Sequence, residues 1–367
     1  TLYKSFVQRN RSQYAMMGAN PQFAFIDTMY GVLYNNDPLA PVALPKAENF
    51  TKIDLKRSVE IYKERFSDAG SMQFVFVGSF KEEELIPLIE QYIGSLPTTT
   101  KKFAAVDNKV RTVKGKKEMM VKKGKDERSL ILQLHTGEVP FSQDLELKAQ
   151  AATEVLNIRI IEELREKIGG IYGGGIFGNL EREPYGNYTF AVQLPCGPEK
   201  ADTLLKAVNK EIKEIAVKGP SQKNLDKVKQ QWREQHKIDL KENEDWLTAL
   251  TESKYPGSDM DYFINYEKYV DKLTTKDVQQ AAAKLLNGAN VFTAIQMPEN
   301  YVPGEEKKTA ERYNKILQTI EIDKPEIKVE LFDNGEIDGD SVTVYFNSYP
   351  VLSKKQLTTT PVSYTHL

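Results

Sequence analysis

The stretch Lys52–Gly78, KIDLKRSVEIYKERFSDAGSMQFVFVG, decides the reading of this chain, because Lys272–Pro298, KLTTKDVQQAAAKLLNGANVFTAIQMP, repeats its grammar. Each copy opens on a polar cap, continues as a helix of about three to four turns, breaks at a glycine-containing turn and closes on an apolar, β-prone run. In the first copy Asp54 is the expected N-cap, and Leu55, Val59, Tyr62 and Phe66 fall at helical spacing. Asp68-Ala69-Gly70-Ser71 ends that helix, and Met72–Val77 reads as a strand. The copies lie about 220 residues apart, too far for a solenoid period, which implies two homologous α+β domains in tandem, the first truncated at its start.

Working outward, Thr1–Ala15 is already a helix in progress and the chain does not open on Met, so a fragment is expected whose targeting signal would lie upstream. A helix follows over Glu82–Ile93, and LPTTTKKFAAVDN (Leu96–Asn108) has the composition of a linker. Beyond it, strands are expected at Val110–Val113, Glu118–Lys122 and Ser129–Leu134, then a long helix from Asp144 to about Lys167. A hairpin of Ile171–Leu180 with Asn187–Leu194 turns at EREPYG, and helices are expected near 199–217, 222–240, 246–254, 261–270 and 277–286, before a strand near Phe292–Met297. The expected organisation is a domain over 1–98, a linker at 99–108, a second domain over 109–299, a charged segment at 300–324 and a small C-terminal β appendage at 325–361. Three strand-like runs in the appendage are separated by Asp333-Asn334-Gly335 and Asp338-Gly339-Asp340. The last residues, VSYTHL (362–367), break the pattern and look like a translated sequencing adapter.

Composition excludes several classes. The 367 residues carry 50 Lys+Arg against 52 Asp+Glu, a net charge of -2, so no basic field collects nucleic acid. One cysteine, Cys196, can make neither an internal disulfide nor a cysteine-based metal site. No apolar run approaches the ~18 residues of a transmembrane span.

The search for chemistry begins with the three histidines, His135, His236 and His366, which form no H-x-x-E-H or H-E-x-x-H pattern. Gly173–Gly178 matches G-x-G-x-x-G formally, but its order is helix, glycines, strand, the reverse of what a dinucleotide needs. Six lysines in KGKKEMMVKKGK (Lys114–Lys125) read as an edge hairpin guarded against sheet-to-sheet pairing, with capture of an acidic ligand as the alternative. The acidic Asp333–Asp340 segment lacks the spacing of a calcium loop. One constellation remains: LREKIGGIY (Leu164–Tyr172) ends a long helix with a cation, breaks at Gly169-Gly170 and places Tyr172 seven residues after Arg165. Guanidinium and phenol are both donors suited to a peptide carbonyl or to its oxyanion. The plainer alternative is a helix-end cation held by the dipole and an ordinary strand tyrosine.

That segment resembles the C-terminal half of the pitrilysin/insulysin (inverzincin) family of zinc metallopeptidases, which includes mitochondrial processing peptidase. The resemblance extends to KERF-x-x-A-x-x-x-x-F-V-F-V-G with GSLP at its end, to PCGPEKADTLLKAV, and to the internal repeat, up to about Pro298. It implies a clam-shell enzyme of two homologous halves, bacterial and single-chain in type, in which the N-terminal half holds zinc through H-x-x-E-H and a distal Glu. Arg165 and Tyr172, with Gly169 and Gly170 between them, would then orient the peptide and stabilise the tetrahedral intermediate across a closed chamber. The resemblance also implies peptide substrates, zinc held by the missing half and none on this chain, and a bacterial cell envelope or periplasmic address. This chain alone is expected to be inactive; a non-catalytic scaffold or peptide-binding subunit of the same fold is the alternative.

Overall fold

Five runs pair into one sheet: β1 (Lys116–Lys122), β2 (Ser129–Glu138), β3 (Gly175–Glu181), β4 (Asn187–Cys196) and β5 (Val291–Met297), in the order β1-β5-β2-β4-β3. The computed structural model describes residues 2–99, 104–171, 173–254, 258–302, 327–331, 341–346, 349–356 and 362–366. The β2 strand takes the middle because it is apolar on both faces: Ile131 belongs to one core, Leu132 and Leu134 to another. It pairs antiparallel with β4 (Ile131↔Leu194) and with β5 (Ile131↔Ile295); β3 and β4 are also antiparallel, and only β1 and β5 run parallel. The antiparallel-rich α+β class is as expected.

The lysine-rich run does form an edge strand, but not a hairpin with its successor. β5 inserts between β1 and β2, pairing Lys117 with Phe292 and Leu132 with Ala294. Physically, β5 buries Phe292, Ala294 and Met297, which belongs inside a sheet, whereas β1 alternates exposed Glu118, Met120 and Lys122 with half-buried Met119 and Val121 and tolerates an open edge. Val110–Val113 is not a strand; Val113 N donates to the Leu33 carbonyl at 2.8 Å instead.

Helices cover both faces. After α1 (Leu2–Ala19), α2 (Pro21–Leu33) starts on an Asn20 cap that accepts from Gln22 N, with Pro21 at its first turn, and lays Phe25, Met29 and Leu33 on the β2–β5 face. Burying each contributes roughly 1.5–3 kcal/mol. In the first repeat copy, α3 (Leu55–Phe66) forms on its Asp54 cap as expected, followed by α4 (Glu82–Tyr92), but Met72–Val77 is extended and unpaired. A strand exists only through its ladder partner, and no neighbouring strand among the described residues offers one. Phe74 and Phe76 consequently stand 43% and 44% exposed, and neither α3 nor α4 buries a residue.

On the opposite face of the sheet lie α5 (Gln143–Ile160), α6 (Ala201–Lys218), α7 (Gln222–Asp239), α8 (Asn243–Lys254), α9 (Met260–Ile264), α10 (Tyr266–Lys272) and α11 (Thr275–Ala281), with π-helical turns at Ile161–Lys167 and Ala282–Leu286. The one helix expected over 261–270 breaks at Asn265, where the backbone leaves helical geometry (φ -109, ψ 27). Leu156, Leu164, Phe190, Leu204 and Leu285 are the fully buried centre of this layer.

Contacts divide the chain into Thr1–Glu305 and Glu306–Leu367. In the second unit β6 (Ile327–Leu331) pairs antiparallel with β9 (Val362–His366), and β7 (Ser341–Phe346) with β8 (Tyr349–Gln356). The expected turns at 333–340 lie outside the described residues.

Candidate functional site

The candidate segment is shaped by how α5 ends. Its last turn widens into the π segment Ile161–Lys167 and stops at Gly169, which adopts φ +60, the left-handed region that favours glycine. Gly170 N then donates to the Leu164 carbonyl at 3.0 Å and Ile168 N to Glu163 at 3.1 Å. This is a Schellman-like closure with one extra residue in its loop, as the π turn requires. Gly169 is exposed and its carbonyl accepts from Lys200 Nζ at 2.9 Å. Gly170 is buried: a Cβ there would stand 2.7 Å from Leu204 Cδ2. Ile171 bridges to Cys196, and Gly174, at φ +99, passes so close to β4 that a Cβ would lie 2.1 Å from the Gln193 carbonyl oxygen.

Electrostatics single out one side chain. Arg159 is committed to Glu211 (Nε to carboxylate, 2.9 Å), Glu162 (3.3 Å) and Glu163 (3.2 Å), and Lys167 reaches Glu163 at 2.5 Å. That hydrogen bond from Lys167 is the main reason the Glu163 carboxyl is held below the usual carboxylate range. Arg165, between them, is exposed and makes no ion pair or side-chain hydrogen bond among the described residues. Among the described residues its guanidinium is uncommitted, and its planar fork of donors is chemically suited to a carbonyl or carboxylate. Tyr172 lies outside the described residues, so of the pairing expected from the sequence the structure describes Arg165, Gly169 and Gly170.

The other expected candidates resolve into structural roles. The glycines 173–175 lead into β3 and not into a helix, as their order implied. Cys196 faces the core, and burial, reinforced by Glu199, pushes its thiol up to about 11, far from nucleophilic range. His135 sits on β2, His236 on α7 and His366 on β9, and among the described residues no group of His, Cys, Asp or Glu could hold a metal ion. His135 is 2% exposed, neither ring nitrogen makes a hydrogen bond of good geometry among the described residues, and burial, opposed in part by the nearby Leu286 backbone, pushes it down to about 4.

The sequence reading missed a polar row on α5. Glu146 accepts from Leu180 N (2.8 Å), Gln150 donates to the Gly178 carbonyl (2.8 Å), and Asn157 both accepts from Ile176 N (2.8 Å) and donates to its carbonyl (3.0 Å). These alternate residues present the edge of β3 that faces away from β4, so α5 closes a sheet edge with side chains. The signal was available: three long polar residues on one face of an otherwise Ala- and Leu-lined helix.

Residues 52–232, which include the whole LREKIGGIY segment, match the family model described as the peptidase M16 inactive domain. The probable zinc protease PqqL of Escherichia coli K12 is 22% identical over 292 residues, 76% of this chain and 30% of PqqL. The crystal structure of periplasmic PqqL superposes with a TM-score of 0.66 at 19% identity over 81% of this chain and 32% of that one. The ferredoxin protease FusC, solved in complex with Arabidopsis ferredoxin, gives 0.67 at 19% identity over 81% and 32%. A peptidase M16 inactive domain from Pseudomonas fluorescens gives 0.61 at 19% over 80% and 70%. The chain thus spans about a third of the length of the full-length proteases it matches. No helix among the described residues is long and apolar enough to cross a membrane.

Proposed function

We propose that this chain, whose residues 52–232 carry the inactive domain of the M16 zinc peptidases, is the substrate-handling, non-zinc half of a metalloendopeptidase. The homology to the C-terminal parts of these enzymes sets the class; the uncommitted Arg165 carries the finer reading. Every other cation of the turn, Arg159 and Lys167, is tied to carboxylates, while Arg165 presents a free planar fork at the end of a glycine-closed helix. In the closed two-half chamber, Arg165 and Tyr172 orient the peptide backbone. They donate to the carbonyl oxygen as it gains charge in the tetrahedral intermediate, an interaction stronger there than in the ground state. Gly169 and Gly170 fix the reversal that carries the pair.

None of the described residues fits a zinc ion, so the metal is assigned to the N-terminal half of the full-length protein and no step is routed through it on this chain. The exposed apolar positions of α3 and α4, among them Val59, Tyr62, Phe66, Ile86 and Tyr92, support a large protein partner, for which that half is the natural occupant. The periplasmic PqqL supports a cell-envelope address.

The test uses the full-length enzyme. Tyr172→Phe removes one donor and should lower kcat by roughly 10²- to 10³-fold, as for single oxyanion donors. Arg165→Lys keeps the charge but loses the fork and should impair both KM and kcat. Both variants should fold within about 1 kcal/mol of wild type, since an exposed helix-end cation and a hydroxyl contribute little to stability. Wild-type kcat/KM in both variants would refute the reading and leave a scaffold.

A further inference from the structure

Away from the glycine turn, α7, α8, α9 and the start of α10 line a pocket of about 330 Å³. Its walls are aromatic: Trp232 and Tyr262 each pack on Tyr266, with ring centres 6.2 Å and 5.5 Å apart, and Phe263 stands beside them. The rest of its lining mixes neutral side chains with four carboxylates, Asp239, Asp245, Glu252 and Asp259, and among the described residues contains no lysine or arginine. None of these four carboxylates forms a salt bridge with any described residue. The polar contacts that Asp239 and Asp259 make are to neutral donors, Gln235 Nε2 (2.8 Å) and the Asp261 amide (2.9 Å). Arg182 at the margin is engaged with Ser258 and stacked over the Phe141 ring. Burial holds the phenols of Tyr262 and Tyr266 above their ordinary range, so they stay neutral and add no charge.

A second observation is independent of the acids. His236 lines the pocket yet is only 4% exposed, edge-on to Phe263 and tilted against Tyr266, and its imidazole makes no hydrogen bond to any described residue. Its ring nitrogens are not among the fully buried unpartnered polar atoms of the described residues, so they remain reachable from the pocket. A polar group of that kind in the lining of an aromatic cavity is one that a ligand would satisfy.

We infer that this pocket binds a guanidinium group, the side chain of an arginine on a peptide or protein partner. A flat cation with an apolar stem is what these walls complement. Aromatic faces attract the delocalised charge, carboxylates take its forked N–H groups, and a ring nitrogen of His236 can accept one more. An anion would meet uncompensated acids, and a neutral apolar ligand would desolvate them without replacement. The inference stands on the pocket between α7, α8, α9 and the start of α10 and does not rest on the role given to Arg165.

The chain contains two tryptophans, Trp232 in the wall and Trp246 edge-on to the lining residue Phe263, so intrinsic fluorescence reports on this pocket. N-acetyl-arginine amide titrated into the 367-residue chain at pH 8 and low salt should give a saturable change, matched by calorimetry. N-acetyl-citrulline amide, the same shape without charge, should bind at least about 10-fold more weakly, and N-acetyl-lysine amide about 3-fold or more weakly for want of the fork. The double variant Asp239→Asn, Asp245→Asn should lose about 10-fold in arginine affinity with its helical circular dichroism unchanged. The inference is overturned if arginine gives no saturable binding, if citrulline or lysine binds as well, or if the folded double variant binds like wild type. Should that variant lose its helix signal, the three-ligand comparison on the wild-type chain decides.

Discussion

His135→Leu isolates one buried proton site. The His135 ring is 2% exposed, neither nitrogen makes a hydrogen bond of good geometry among the described residues, and burial lowers its pKa from 6.5 to about 4. At pH 8 it is neutral in both the folded and the unfolded chain and brings no penalty. As pH falls through 6.5, the unfolded chain takes up a proton that the folded chain refuses, so stability declines with acidification until about pH 4, where the folded ring also titrates. Linkage with these two values makes the loss between pH 8 and pH 5 about 2 kcal/mol, rising to roughly 3 kcal/mol well below pH 4. Leucine is close to histidine in volume and has nothing to leave unpaired, so at pH 8 the variant should lie within about 1 kcal/mol of wild type. Urea unfolding at constant ionic strength, followed by the fluorescence of Trp232 and Trp246, measures both proteins at each pH. All other titrating groups are shared, and the difference between the two pH slopes belongs to residue 135. Parallel slopes would refute the reasoning. So would a loss above about 3 kcal/mol at pH 8, which would mean that the ring is hydrogen-bonded after all.

The remaining predictions concern the glycine turn and its support. Gly174→Ala should destabilise by more than about 3 kcal/mol in thermal or urea unfolding, because the new Cβ meets the Gln193 backbone oxygen at 2.1 Å and the φ of +99 is unfavourable. Gly169→Ala, with the same hand of φ but open space around it, should cost only about 1 kcal/mol, and Gly169→Asn less. Arg159→Met strips the partner from Glu211, whose side chain is 4% exposed, and should cost about 2 kcal/mol after discounting for the part-exposed arginine; a loss under about 0.5 kcal/mol would show that Glu211 finds another partner. Metal analysis of the dialysed chain should give far less than one zinc per molecule, and no chelator-sensitive peptide cleavage; near-stoichiometric zinc with such turnover would overturn the assignment of the metal to the other half.

What was legible in the sequence is what is decided locally. Asp54 caps α3 where the pattern placed it, because capping needs only its own side chain and the amide of Arg57. Even local signals compete: the long helix was expected from Asp144, but Ser142 accepts from Leu145 N and starts it earlier, and Thr274 forms a capping box with Asp277 ahead of the expected start of α11. Strand order is decided by residues far apart in the chain, and no turn chemistry encodes it. Nothing in KGKKEMMVKKGK says that its neighbour is Val291–Met297 rather than Ser129–Glu138. That choice follows from β5 being apolar on both faces, a property of the whole sheet.

The two repeat copies make the same distinction. Both carry cap, helix, glycine turn and apolar run, yet only VFTAIQM becomes a strand, flanked by β1 and β2, while MQFVFV remains extended with two phenylalanines in solvent. Identical grammar therefore specifies a unit that can enter a sheet, and the sheet itself decides whether it does. The functional turn divides in the same way. LREKIGGIY announces the helix end, the glycine reversal and the free cation, all of which are local. On the reading proposed above, what Arg165 donates to depends on surfaces that approach from another part of the protein, as the pairing of the apolar run does. The open run at 72–77 and the Arg165 guanidinium, which has no partner among the described residues, would then share one requirement, a partner that supplies both a ladder and a peptide. Supplying the N-terminal half in trans should test that requirement directly: Phe74 and Phe76 should become protected from solvent in the same titration that restores Arg165-dependent cleavage, and restoration of one without the other would separate them.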